Sequence, residues 1–222
     1  MGQNITLKAK DGHELSAYRA DPAGKPRGAL VVIQEIFGVN AHIRGVCDRF
    51  AKEGYVAVAP AIFDRAQKGV EFGYDPAGIA AGRAMMTKVP MTGIAADTQA
   101  AIDYCQQFGK VGIVGYCLGG SVAFMAATQL SGIVAAVGYY GGQIAANAQN
   151  KPKVPTLLHF GDQDQSIPMS DVAKVQAARS DCEIHVYHAG HGFNCDVRGS
   201  YDAESSKVAL ERTLAHFRKY VG

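Results

Sequence analysis

Three separated stretches carry residue types that can do nucleophilic chemistry. The first is Gly115-Tyr116-Cys117-Leu118-Gly119, preceded by the apolar run Val111-Gly112-Ile113-Val114 and followed at once by a helix-like stretch at 118–129. Gly-x-Cys-x-Gly between a strand and a helix is the pattern of a nucleophile elbow with a thiol in place of the usual hydroxyl. The spacing has a physical cause. A nucleophile on a tight strand-to-helix turn brings its neighbours two residues away into close approach, so both are glycine. The helix N-terminus then points its positive end at the Cys117 thiol and favours the thiolate. The backbone N–H of Leu118 is placed to donate to a developing oxyanion. The competing reading is a structural cysteine beside a glycine-rich turn. The strand before and the helix after favour the elbow.

An elbow needs a base and an orienting acid, in the chain order nucleophile, acid, histidine. His159-Phe160-Gly161-Asp162-Gln163-Asp164 ends a strand-like run, which puts Asp164 at a carboxyl edge. Asp162 is the alternative, with the plainer reading of a solvated turn carboxylate. His191 follows another strand-like run and lies between Gly190 and Gly192, which makes it the expected base. A second oxyanion donor belongs to the loop after the strand at 28–33, here Gln34-Glu35-Ile36-Phe37-Gly38, and the backbone N–H of Ile36 is assigned to it. Glu35 stands at the end of a buried apolar strand, so its carboxylate must be paired or protonated. Spacing leaves two readings open: an ion pair with Arg44 or Arg83, or a carboxylate beside the thiol.

Cys182, His185, His188, His191 and Cys195 crowd into 14 positions and invite a zinc reading. A strand sends alternate residues to opposite faces, so His185 and His188 point apart. Neither has helical ligand spacing, and no metal is expected. His159 reads as a core histidine, while His13, His42 and His216 carry no signal. The cysteines number five, with no Cys-x-x-Cys. An odd count without a recognisable secretory signal argues for reduced thiols and a cytoplasmic setting. Gly2 and Thr6 match a myristoylation pattern, but the strand-like alternation beginning there favours a structural reading.

Elements that could position these groups alternate along the chain. Strands are expected at 4–9 and 13–20, joined by an Asp11-Gly12 turn. Continuous apolar runs predict strands at 28–33, 55–59, 110–115, 134–138 and 154–160, and a further strand is expected at 182–187. Helices are expected at 41–53, 78–88, 92–107, 118–129, 169–178 and 203–219, and a loop at 61–77. Such alternation predicts an α/β chain: a mostly parallel sheet with helices on both faces and an antiparallel N-terminal hairpin. The 222 residues are 48% hydrophobic, consistent with a single domain over 1–222. A net charge of +2, from 22 basic and 20 acidic residues, points to no nucleic acid and no membrane. A monomer or weak dimer is expected.

The sequence resembles the dienelactone hydrolase (carboxymethylenebutenolidase) family of the α/β-hydrolase fold over nearly its whole length. The resemblance rests on Gln34–Asn40, Val114–Gly120, Val137–Gly141, Gly161–Asp164 and Ala189–Phe193. It implies a hydrolase of lactone or ester bonds that needs no cofactor, with Cys117 as nucleophile, His191 as base and Asp164 as its partner. It also implies that Glu35 contacts the resting thiol, and that Phe37 and Tyr140 line the pocket. The family's carboxylate-binding arginines are displaced. Arg83 is offset from the first position, and the second, four residues after the histidine, is Cys195, with Arg198 three further on. A general carboxylesterase or thioesterase is the alternative, and a non-catalytic thiol sensor is the reading from a different class.

Overall fold

A computed structural model describes residues 2–222. One sheet of eight strands runs in the order β1-β2-β4-β3-β5-β6-β7-β8. Strands β1 (Gln3–Lys8) and β2 (Glu14–Ala20) form the antiparallel hairpin, and Gly12 turns it at a φ of 89°. β2 also runs antiparallel to β4 (Tyr55–Pro60). From β4 onward the sheet is parallel, through β3 (Gly28–Ile33), β5 (Val111–Tyr116), β6 (Ala135–Tyr139), β7 (Thr156–Gly161) and β8 (Glu183–Tyr187).

The apolar runs are strands buried on both faces, and their alternation sorts the core into two layers. Leu30 and Val32 of β3 pack with Val114 and Tyr116 of β5, beneath α1 (Ala41–Lys52), α5 (Met169–Ala178) and α6 (Ala203–Tyr220). Ala29, Val31 and Ile33 face the other way with Ile113, against α2 (Pro76–Met86), α3 (Met91–Cys105) and α4 (Leu118–Gln129). α4 is buried on nearly every side, which is why its sequence is small and apolar without helical periodicity.

The element boundaries expected from sequence shift by a residue or two, with identifiable causes. α2 starts at Pro76 rather than 78, because Asp75 caps it by accepting from the Gly78 N–H at 2.7 Å and Pro76 suits the first turn. The stretch 61–77 also contains a short 3-10 turn at Ile62–Arg65. Among the described residues, no helix is long and apolar enough to cross a membrane.

The strand order reverses direction between β3 and β5. The crevice outside the carboxyl ends of strands at such a switch point is where ligands bind in open α/β sheets. Both Glu35-Ile36-Phe37 and Cys117 lie there.

Candidate active site

Cys117 has a φ of 55°, a left-handed conformation that a side chain adopts only under local constraint. Its glycine neighbours supply that constraint. A Cβ on Gly115 would lie 1.9 Å from the Gly119 carbonyl oxygen, and one on Gly119 would lie 2.3 Å from that of Ile33. One on Gly120 would lie 2.3 Å from the Tyr139 oxygen. Close backbone approach on three sides therefore requires glycine at all three positions. The Cys117 N–H donates to the Tyr139 oxygen at 3.0 Å, which ties the turn to β6. Leu118 is the first residue of α4, so its N–H has no intrahelical acceptor.

The structure brings His191 and Asp164 to this turn. The His191 Nδ1–H donates to Asp164 Oδ2 at 2.7 Å, and the ring and the Cys117 thiol line the same cavity. Asp164 Oδ1 accepts from the N–H groups of Ser166 at 2.8 Å and Ile167 at 3.1 Å, and its side chain is 1% exposed. Burial disfavours a charged His191 ring, but the neighbouring Asp164 carboxylate and Cys117 sulfur prevail, and its pKa is pushed up to about 10. Asp162 instead pairs with the exposed His188 at 3.0 Å.

A cavity of about 270 Å³ opens over the thiol. Its wall includes Cys117, His191, Ile36, Phe37, Leu118 and Arg198, with Ile79, Arg83 and Met86 from α2. The N–H groups assigned to an oxyanion therefore belong to residues of the cavity wall. Ser121, Gln143 and Ser166 also line it. Sequence reasoning passed over these three, and their types carry no motif that would have marked them.

Two placements correct the sequence reading. Glu35 does not hydrogen-bond the thiol, and its partner is neither Arg44 nor Arg83. Glu35 Oε1 accepts from Arg198 Nη1 at 3.0 Å, while Arg44 is held by Glu71 at 2.6 Å and Arg83 stays on the cavity rim. The cause is reach: the loop after His191 folds back and delivers a cation to the end of β3. Arg198 also lies 5.7 Å from the Phe37 ring centroid. Tyr140 is fully buried and outside the cavity wall. At a φ of 38° it turns inward, with its ring 5.1 Å from that of His191 and 5.4 Å from that of Phe193. Tyr140 thus backs the histidine instead of lining the pocket.

The expected histidine and cysteine separations hold. His185 goes to Glu183 and His188 to Asp162. His159 is a core residue, bonded to Tyr187 at 2.8 Å and Thr213 at 3.1 Å, and burial pushes its pKa down. Cys195 is the exception. It meets Glu35 and His42, whose potential ligand atoms all lie within 4.8 Å of one another. His42 carried no sequence signal, because its position depends on how α1 packs against the loop at 195. Burial pushes the Cys195 thiol up to about 11.

Comparison with known proteins agrees with this architecture. The model of the dienelactone hydrolase family matches residues 15–221. The chain is 37% identical to a Synechocystis protein provisionally named carboxymethylenebutenolidase, over 92% of each chain. It is 33% identical to the carboxymethylenebutenolidase of Pseudomonas putida, over 96% of this chain and 94% of that one. A crystal structure of a provisionally named dienelactone hydrolase from Klebsiella pneumoniae superposes with a TM-score of 0.89 at 30% identity, covering 99% of both chains.

Proposed function

The chain belongs to the dienelactone hydrolase family, hydrolases acting on ester and lactone bonds, and from that premise we propose that it works through an acyl-enzyme on Cys117. The observation that carries the reading is that Cys117, on its constrained turn, and His191, held by Asp164 at 2.7 Å, line one open cavity. Cys117 attacks the substrate carbonyl as a thiolate, with His191 holding the proton as an imidazolium. The N–H groups of Ile36 and Leu118 hold the oxyanion. The His191 imidazolium then protonates the departing alkoxide, which in a lactone remains tethered to the acyl group. Water, activated by the neutral ring, attacks the thioester and frees the thiol. Asp164 fixes the tautomer throughout.

Phe37, Ile79 and Met86 offer an apolar wall to the acyl part, and Arg83 and Arg198 add positive charge at its edge. This composition suits a small ester or lactone carrying a carboxylate. Glu35 is a positioning residue in this reading: it fixes the Arg198 guanidinium at one nitrogen and leaves the rest toward the cavity. Tyr140 is a positioning residue for His191.

A substrate screen tests the proposal. Carboxylate-bearing lactones and esters should be hydrolysed at least about tenfold more efficiently than neutral aryl esters of the same size, the ratio expected of one favourable charge contact. Arg83→Ala should reduce the preference, and Cys117→Ala should abolish turnover of both. Equal efficiency on neutral esters would overturn the carboxylate preference, and turnover by Cys117→Ala would overturn the mechanism.

A further inference from the structure

Glu35, whose Oε1 positions Arg198, meets His42 and Cys195 beside the cavity, and the acyl-transfer chemistry uses neither His42 nor Cys195. All three are buried, and one potential ligand atom from each lies within 4.8 Å of the others. On two of these residues a buried polar atom, Glu35 Oε2 and His42 Nε2, has no hydrogen-bond partner among the described residues. An unpartnered buried acceptor is costly.

The tautomer makes the shortage sharper. The His42 Nδ1–H donates to Asp196 Oδ1 at 3.1 Å, so in the neutral ring Nε2 carries a lone pair. Glu35 Oε1 is taken by Arg198, and Oε2, with lone pairs only, is left without a partner. The Tyr74 hydroxyl accepts from Asn40 Nδ2 at 3.0 Å. A carboxylate oxygen, an imidazole nitrogen and a sulfur therefore converge with a single S–H among them.

We propose that Glu35 Oε2, His42 Nε2 and Cys195 Sγ form a binding site for one thiophilic divalent cation of the Zn²⁺ type. The donor set of one oxygen, one nitrogen and one sulfur is a zinc set, while Mg²⁺ and Ca²⁺ need oxygen ligands. Tetrahedral bond lengths set neighbouring ligands about 3.5 Å apart, so the cluster contracts by about 1 Å on binding. The Cys195 thiol loses its proton to solvent as the metal–sulfur bond forms. A fourth position is left for water. The Asp196–His42 hydrogen bond is the carboxylate–histidine support that metal-bound imidazoles have. A surface recess lined by His42, Gly45, Arg49, Asp196 and Val197 brings solvent up to the His42–Asp196 side of the cluster.

The test uses Cys117→Ala protein, which removes the other thiol paired with a histidine. Co²⁺ is titrated in while the thiolate-to-cobalt charge-transfer band and the tetrahedral d–d bands are followed, and Zn²⁺ is then added as competitor. One Co²⁺ per chain is expected, displaced by Zn²⁺ and untouched by Mg²⁺. Adding Cys195→Ser should abolish the charge-transfer band. His42→Gln should weaken binding at least about tenfold, and Asp196→Asn by about 10- to 100-fold. The Asp196 side chain is 55% exposed, so this last variant tests the site without disturbing the core. Absence of the band under excess Co²⁺ would overturn the proposal. So would a band that survives Cys195→Ser, or an affinity unchanged by both His42→Gln and Asp196→Asn.

Discussion

Asp164→Asn keeps the shape of the side chain and removes only its charge and one acceptor, so its cost can be worked from the contacts. Asp164 Oδ1 accepts from two backbone N–H groups, and Oδ2 accepts from His191 Nδ1. An asparagine has one oxygen. If its NH₂ faced Ser166 and Ile167, two buried donors would lose their acceptor, at about 1–3 kcal/mol each. The oxygen therefore stays with the backbone and the NH₂ turns to His191. The ring must then carry its proton on Nε2, where it cannot take one from Cys117. Losing a charge-assisted hydrogen bond costs about 1.5–3 kcal/mol, or about 10- to 150-fold in rate. The wrong tautomer adds to this, and the equivalent change in a serine triad costs about 10⁴-fold. A thiol ionises more readily than a hydroxyl and leans less on its base. Acylation should therefore slow between about 10²- and 10⁴-fold.

The assay is stopped-flow release of nitrophenol from an activated ester, which separates the acylation burst from steady turnover. Thermal unfolding of the same protein checks that the fold survives. Asp162→Asn is the matched control, since that residue holds only the exposed His188. Acylation within about threefold of wild type in Asp164→Asn, with a larger loss in Asp162→Asn, would refute the assignment of the acid.

Other consequences can be checked separately. Iodoacetamide near neutral pH should label Cys117 first, because burial pushes Cys105 up to about 12, Cys182 and Cys195 up to about 11, and Cys47 higher still. Peptide mapping that finds another cysteine labelled first would contradict this. The His191 pKa lies above its unfolded value, so its contribution to stability is complete below about 6.5 and is lost as pH rises through about 10. The imidazolium also protonates the leaving group, so kcat/KM should decline with an apparent pKa near 10, and a profile that stays flat there would argue against that role. Arg198→Met strands the Glu35 carboxylate, which is 1% exposed, and should destabilise the fold by about 3–5 kcal/mol in urea unfolding. Adding Glu35→Gln should restore most of that loss, and a double variant no more stable than the single one would show that the pair is not the cause.

What could be read in the sequence was whatever local sterics or burial dictates. The glycines flanking Cys117 are fixed by backbone atoms less than 3 Å from where a side chain would begin, so the turn announces itself. β3, β4 and β5 are covered on both faces and read as apolar runs. Asp164 and His191 follow strands whose ends must share one edge. Tyr140 could not be placed, because a φ of 38° reverses the side that strand alternation would assign it. His42 could not be placed either, since its neighbours Glu35 and Asp196 arrive from loops after β3 and β8.

Arg198 shows how a group can be lost in alignment and kept in space. The resemblance puts an arginine four residues after the histidine, where this chain has Cys195. The Cys195 N–H donates to the Gly192 oxygen at 2.9 Å, and the Arg198 N–H donates to the Cys195 oxygen at 3.0 Å. Two successive turns of three residues fold the loop back on itself, so residues 195 and 198 both face Glu35. The three-residue shift in sequence therefore leaves the positive charge beside the carboxylate and at the cavity wall. It also frees the position that the arginine would have filled, and a thiol stands there, opposite a histidine and a half-satisfied carboxylate. The displaced cation and the proposed metal site thus have a single origin in the turn at 192–198, which supplies Arg198 to one oxygen of Glu35 and brings the Cys195 sulfur near the same carboxylate.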